Sequence, residues 1–424
     1  MSSTAGLHVV VIGAGIIGAA SALELLRDGQ RVTLVEPGDP GGEQAASYGN
    51  GCWLSPASVV PVSMPGLWKQ VPGYLLDPLG PLTLRWRYFL RAMPWLLRFM
   101  RAGATVARAE RLSRAMGPLV ADCPERHAAL AGEAGVGALI RRDGLLYVFP
   151  SRADFAASAL SWRLRREQGV AWVELDAGEL RQREPALDRR YQFAVFVEHG
   201  AHCIDPGAYV AALVTHAQAL GAKLVRARAT GFAIERGRLR AVRTESGAIA
   251  CDRAVIAAGA WSKALARAVG DTVPLESERG YHAVIRAPGF ELRHTIMPSD
   301  GKMANTMTPQ GLRIAGQVEI AGLDAAPNWN RARILRDFAL KTYPALPRDL
   351  PPDRVSLWMG HRPSMPDSLP CIGLASGSAD VVHCFGHGHT GLAAGPLSGR
   401  LAADLVSGRQ PAIELAPYAP SRFG

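Results

Sequence analysis

Three glycines, Gly13, Gly15 and Gly18, follow an apolar opening run, and an acid, Glu36, stands twenty-three positions after the first of them. Residues of these types at this spacing suit a pyrophosphate joined to a ribose. Gly13 permits a tight turn, Gly15 lets the backbone approach a phosphate, and Gly18 lets the next helix lie close on the strand before it. Ile16 and Ile17 open that helix, whose free N–H groups and partial positive charge face the phosphates. Glu36 can accept from both hydroxyls of an adenosine ribose. A bare triplet would carry little weight among 45 glycines, but strand, glycines, helix, second strand and acid in this order predict a dinucleotide site. No Ser/His/Asp set or carboxylate pair stands out elsewhere. The six cysteines, at 52, 123, 203, 251, 371 and 384, have no C-x-x-C pair and no ligand spacing. They predict free thiols in a reducing compartment and no metal site.

The elements that must position these residues follow from pattern. His8–Ile12 and Arg31–Val35 read as short buried parallel strands, and the helix between them stops before Gly29. At 424 residues two domains are expected. The Pro- and Gly-rich stretch 56–81 is too irregular for a doubly wound sheet, and helical patterns run from about 84 to 132. A strand is predicted to end at Pro150, with Ser151 opening a helix. Residues 209–220 read as a helix, 223–228 as a strand, 232–235 with 239–244 as a hairpin, and 252–257 as a buried strand. Alternating patterns at 281–285 and 311–318 suggest an antiparallel sheet, followed by a helix at 330–341. A last strand, 381–385, leads through a glycine-rich turn into a helix from Leu392 to Ser407.

The formal net charge of +10 comes mostly from arginine, yet no nucleic-acid-binding motif is present and the arginines are spread along the chain. In 84–108, arginines alternate with Trp86, Trp95 and other large apolar residues. Such a segment is too charged to span a bilayer, and Pro94 would kink it. It reads either as an amphipathic helix packed on the protein's own core or as a peripheral membrane contact in an anionic headgroup region. Met1–Gly6 lacks a basic signal-peptide opening, so the expectation is a cytoplasmic protein, with the inner membrane face as the variant of it.

Segments 8–36, 254–262 and 381–392 together resemble the D-amino-acid oxidase superfamily of FAD enzymes, and nearly the whole layout is most similar to its D-amino-acid dehydrogenase small-subunit branch. The resemblance implies an α/β FAD-binding Rossmann-like domain from 1–55, 196–272 and 355–424. It implies an α+β substrate domain with an antiparallel sheet from 56–195 and 273–354. FAD would be non-covalent, with Ser47, Asn50 and Gly51 near the flavin, although this loop lacks the family's more frequent Thr-Ser and Ala-Asn pairs. Ala258, Gly259 and Trp261 would meet the nucleotide half, and Gly388, His389, Thr390, Gly391 and Leu392 the flavin's pyrimidine ring. Gly360-His361-Arg362-Pro363-Ser364-Met365-Pro366-Asp367 is similar to the family's G-x-R-P-x-x-P-D motif, whose arginine binds the substrate carboxylate. Tyr281 would close over the substrate or pack in the core, and no base role is assigned to His361, His387 or His389. The implied reaction is oxidative deamination of a D-amino acid or secondary amino acid, by hydride transfer from Cα to flavin N5. Electrons would pass to a quinone or another electron-accepting partner. The alternatives are a sarcosine- or glycine-oxidase-like enzyme, or the catalytic subunit of an opine or hydroxyproline oxidising complex. Further off stand an NAD-dependent dehydrogenase, which has no use for the C-terminal glycine loop, and a non-catalytic flavin subunit.

Overall fold

The computed structural model describes residues 6–69, 73, 80 and 82–423. The rest of the 56–81 stretch lies outside the described residues. A six-stranded sheet runs in the order Lys223–Val225, Arg31–Val35, His8–Ile12, Arg253–Ile256, Ser378–Phe385 and Cys371–Ala375, parallel except at the last pair. Beyond their first residues its central strands are buried throughout, as apolar β-branched runs covered on both faces must be. Helices Ile16–Arg27, Pro206–Ala219 and Gly391–Val406 share a core on one face. On the other lie helix Ser262–Ala268 and the antiparallel sheet Ala229–Glu235, Arg238–Thr244, Gly247–Ala250. The third of these strands was not expected, because four residues give too short an alternation to read.

The larger sheet has nine strands and is mostly antiparallel. Glu276–Ile285 lies between Val355–Ser364 and Gly311–Ile320, and Leu145–Phe149 and Phe193–Val197 pair farther along. Sheet membership therefore differs from the sequence division. Phe193–Val197 and Val355–Ser364 lie in this sheet, whereas residues from 196 and from 355 were expected in the nucleotide domain. Ten paired residues carry the strand from 355 to 364 away from that domain before the chain returns to it at Cys371.

The helical region also divides more finely than its periodicity suggested. Leu82–Leu84 is a strand beside Val318–Ile320, and helices Phe89–Ala102, Val106–Val120 and Cys123–Glu133 follow. Gly103 ends the first, Thr105 caps the second through Arg108 N–H, and Pro124 sits in the first turn of the third. On helix Phe89–Ala102, Ala92 and Trp95 are buried against Leu84 and Ile320, while Leu90 and Leu97 stay exposed. No helix among the described residues is long and apolar enough to cross a membrane.

The first and last long helices set the spacing of the nucleotide domain. A Cβ on Gly399 would lie 2.6 Å from the Ala20 carbonyl carbon and 2.7 Å from Ser21 N. Arg400 adds ion pairs to Glu24, Asp28 and Asp404 at 2.6 to 3.0 Å. Because the obstacle at Gly399 is backbone, relaxation cannot relieve it cheaply. Gly399→Val should lower stability by about 3 kcal/mol or more in denaturant unfolding. Gly132→Ala, in a helix with nothing within 4 Å of the new methyl, should leave it unchanged or raise it by about 0.5 kcal/mol.

Candidate active site

Two cavities meet between the sheets. The first, about 490 Å³, opens at the carboxyl ends of the parallel strands, where Ile12, Val35, Ala257, Cys384 and Phe385 all reach its wall. Gly13, Gly15, Ile16, Ile17, Glu36, Ser47, Asn50, Ala258, Gly259, Trp261, Gly388, Gly391 and Leu392 line it. Gly18 does not, and its part is spacing: a Cβ there would lie 1.8 Å from Gly13 O. Gly13 itself has φ +103°, and a Cβ would meet Ala257 O at 2.4 Å.

The donors and charges of this cavity suit FAD. Helix Ile16–Arg27 and helix Gly391–Val406 both begin at the cavity wall, and neither has a side-chain cap of its own or an acid in its first turn. Ile16 N–H donates to Ser47 Oγ at 3.1 Å, which brings the 45–51 loop onto the first of these ends. Glu36 is the one acid among the described residues of the wall. Its carboxylate accepts from Ala14 N–H at 2.9 Å and Gly38 N–H at 3.2 Å, and keeps acceptor capacity for a ribose.

The second cavity, about 580 Å³, shares Ala46, Asn50 and Gly388 with the first. Gly51, His389, Thr390 and Arg362 line it, with Trp53, Tyr147, Trp162, Arg165, Gln317 and Trp358, which local sequence pattern did not single out. No Asp or Glu stands among its described lining residues. The Arg362 guanidinium crosses the neighbouring strand over Gly280, where a Cβ would lie 2.3 Å from Cζ. Nη1 donates to Gln317 O at 2.9 Å and Nη2 to Gly316 O at 3.2 Å. Burial lowers its pKa, and the Glu278 carboxylate across the strand pair opposes that shift. Burial in turn raises Glu278, against the Ser364 hydroxyl bonded to it at 2.8 Å and the charge of Arg362. A glycine in mid-strand was the available signal that something crosses there.

Tyr281 is the correction. It follows Gly280, so alternation turns its ring to the opposite face of the sheet, into the core with Leu335, Ala339 and Tyr343. It is 1% exposed, and its hydroxyl donates to Glu319 at 2.5 Å and accepts from Asn328 N–H at 3.0 Å. Burial pushes its pKa up to about 12. It lines neither cavity among the described residues and cannot close over a substrate.

Strand Val355–Ser364 serves both cavities by alternation. Trp358, Gly360 and Arg362 line the second, while His361 and Pro363 line the first. Trp358 lies over Gly49 and Gly360, stacks on His282 at 5.0 Å and donates from Nε1 to Glu43 O at 2.9 Å. It therefore pins the 43–50 loop to the larger sheet. Three histidines border the cavities. His387 bonds Ser398 Oγ through Nε2 and His361 bonds Ser277 Oγ through Nδ1. Burial pushes His387 down to about 3, and burial with a nearby arginine charge takes His361 and His389 to about 4.

The comparisons agree with this geometry. The DAO family, described as FAD dependent oxidoreductase, matches residues 8–405. The chain is 58% identical to a D-amino-acid oxidase of Bradyrhizobium diazoefficiens, over 99% of each chain. It is 29% identical to a D-amino acid dehydrogenase of Paramagnetospirillum magneticum, over 98% of this chain and 99% of that one. Glycine oxidase from Geobacillus kaustophilus has the same fold, with a TM-score of 0.73 at 22% identity, covering 98% of this chain and 99% of that one. With the cavity assembled from stretches scattered between residues 12 and 392, and the family match spanning nearly the whole length, the chain belongs to the DAO family of FAD-dependent oxidoreductases.

Proposed function

We propose that this enzyme oxidises the Cα–N bond of a D-amino acid or a secondary amino acid whose carboxylate rests on Arg362. The observation that carries the reading is a guanidinium set in the wall of a cavity whose described lining holds no acid and which shares three residues with the first cavity. The 58% identical relative named D-amino-acid oxidase supports the D configuration.

Gly13, Gly15, Ile16, Ile17 and Glu36 would hold the adenosine half of FAD, with Ala258, Gly259 and Trp261 beside it. Ser47, Asn50, Gly51 and the segment from Gly388 to Leu392 would hold the flavin without a covalent bond. Bound there, FAD supplies the two-electron acceptor for the hydride leaving Cα. The chain's own part is orientation and charge. Arg362 has two donors committed to carbonyls, which fixes the direction of the rest toward a planar carboxylate. Trp53, Tyr147, Trp162 and Trp358 give the cavity an aromatic wall that excludes water and restricts the pose of Cα–H. Helix Gly391–Val406 brings its positive end to the junction, where negative charge accumulates. The amine has to arrive uncharged, and the bordering histidines are neutral near pH 7.

In this reading the electrons leave to a quinone at a bilayer surface. Trp86, Leu90 and Leu97 are 73%, 81% and 63% exposed on one side of the segment, with Arg87, Arg91, Arg98 and Arg101 exposed around them. Exposed apolar residues ringed by arginine fit an anionic headgroup region.

Three outcomes are expected. Arg362→Met should lower kcat/KM toward D-amino acids by on the order of a hundredfold, about 3 kcal/mol, with FAD content retained; unchanged kinetics would refute the carboxylate anchor. In the wild type, kcat/KM should rise with pH as the substrate ammonium loses its proton. It should show no histidine step between about pH 5 and 8, because His361, His387 and His389 gain protons only near pH 3 to 4. Flotation with vesicles rich in anionic lipid should lift the protein, and Leu90→Glu with Leu97→Glu should abolish this. Peroxide formation as fast as dye reduction would make oxygen the acceptor instead.

A further inference from the structure

Arg165 is a second guanidinium in the wall of the cavity that holds Arg362. It stands on helix Ala159–Glu167, an element separate from the strand that carries Arg362. Its neighbour Arg163 points to solvent and pairs with Glu110 and Glu167. Arg165 makes no ion pair among the described residues. Its Nε donates to Ala57 O at 3.1 Å and its Nη1 to Ser161 O at 3.3 Å. The guanidinium carbon lies 4.6 Å from the Trp162 ring centroid and 5.4 Å from that of Tyr147. Trp53 packs edge-on against Tyr147 at 5.2 Å, which extends the same aromatic wall.

A half-buried guanidinium packed against aromatic rings and neutral carbonyls, with no counter-ion among the described residues, carries a desolvation cost that a bound anion offsets. Burial accordingly lowers the Arg165 pKa, with only Tyr147 opposing the shift. The cavity supplies no such anion, because its described lining contains neither Asp nor Glu. Arg362 has Glu278 across its strand pair, so of the two guanidinium groups Arg165 is the less compensated.

We infer that Arg165 forms a second carboxylate subsite, so that the preferred substrate is an amino acid whose side chain ends in an acid group. This rests on the reading of Arg362 as the anchor for the α-carboxylate. A dicarboxylate spans both guanidinium groups, whereas a neutral side chain leaves Arg165 uncompensated against its aromatic wall. The subsite thus selects by the cost imposed on the wrong ligand as well as by the bond made to the right one.

The test uses the FAD-loaded enzyme and unreactive ligands, read by the change they cause in flavin absorbance. Glutarate should bind the wild type at least tenfold more tightly than valerate, equal to about 1.4 kcal/mol. Arg165→Met should erase that preference, weakening glutarate and leaving the valerate Kd no higher than in the wild type. Arg165→Gln, which keeps hydrogen-bonding capacity without charge, should do the same and serves if Arg165→Met fails to fold. Equal binding of the two ligands by the wild type, or a preference that survives in a folded Arg165 variant, overturns the subsite. Arg362→Met should weaken valerate at least tenfold. Unchanged valerate binding there refutes the anchor, and the glutarate preference is judged on Arg165 alone.

Discussion

Backbone and side chains approach each other in this enzyme at distances that a single methyl group would forbid. A Cβ at Gly18 would strike Gly13 O, one at Gly399 would strike the backbone of Ala20 and Ser21, and one at Gly280 would strike the Arg362 guanidinium. The first two contacts bring two helix N-termini to the rim of one cavity, within reach of the same ligand. The third lets an arginine lie flat across a strand and reach the cavity beyond it. The same missing atom therefore shapes both the first cavity and the position of the proposed substrate anchor. Larger residues at these points would separate the two without altering any group that does chemistry.

Electrostatics follow from that packing. The first cavity has a single described acid, Glu36, and helix N-termini elsewhere; the second has two arginines and a lysine and no acid among its described lining residues. Enclosure strengthens these fields relative to water. It also holds the nearby imidazoles neutral, which keeps a fluctuating charge away from the reacting bond. Acid-base machinery is absent from the expected reaction, and its place is taken by fixed positive charge and enforced geometry.

The nucleotide half was legible in the sequence because its signals are local. Gly13, Gly15, Gly18 and Glu36 lie within one strand–helix–strand unit, and the turn from Gly388 to Leu392 lies beside its own helix. The substrate cavity was only partly legible. The motif drew attention to Arg362, which lines the cavity, but Trp53, Tyr147, Trp162 and Arg165 come from scattered strands and a helix whose spacing carries no trace of their convergence. Tyr281 misled because an aromatic residue in an alternating strand is equally suited to either face. The glycine before it decides the matter, since the crossing guanidinium claims the Gly280 face and leaves Tyr281 the core. The boundary near 355 was misplaced for a related reason: the motif that belongs functionally to the cofactor end is physically a strand of the other sheet.

That strand explains why the two sheets act as one site. Side chains of a strand alternate faces, and Val355–Ser364 sends Trp358, Gly360 and Arg362 to the substrate cavity and His361 and Pro363 to the cofactor cavity. Its register against Glu276–Ile285, with Gly360 opposite Gly280 and Arg362 opposite Glu278, is what places the guanidinium over the missing side chain. A slip of one residue would exchange the two sets of side chains and put Arg362 on the cofactor side. The bulge beside Gly280 in the pairing with Gly311–Ile320 brings the Gly316 and Gln317 carbonyls to the far end of the guanidinium. Register, bulge and glycine are thus three parts of one constraint, which ties the guanidinium of the second cavity to the wall of the first.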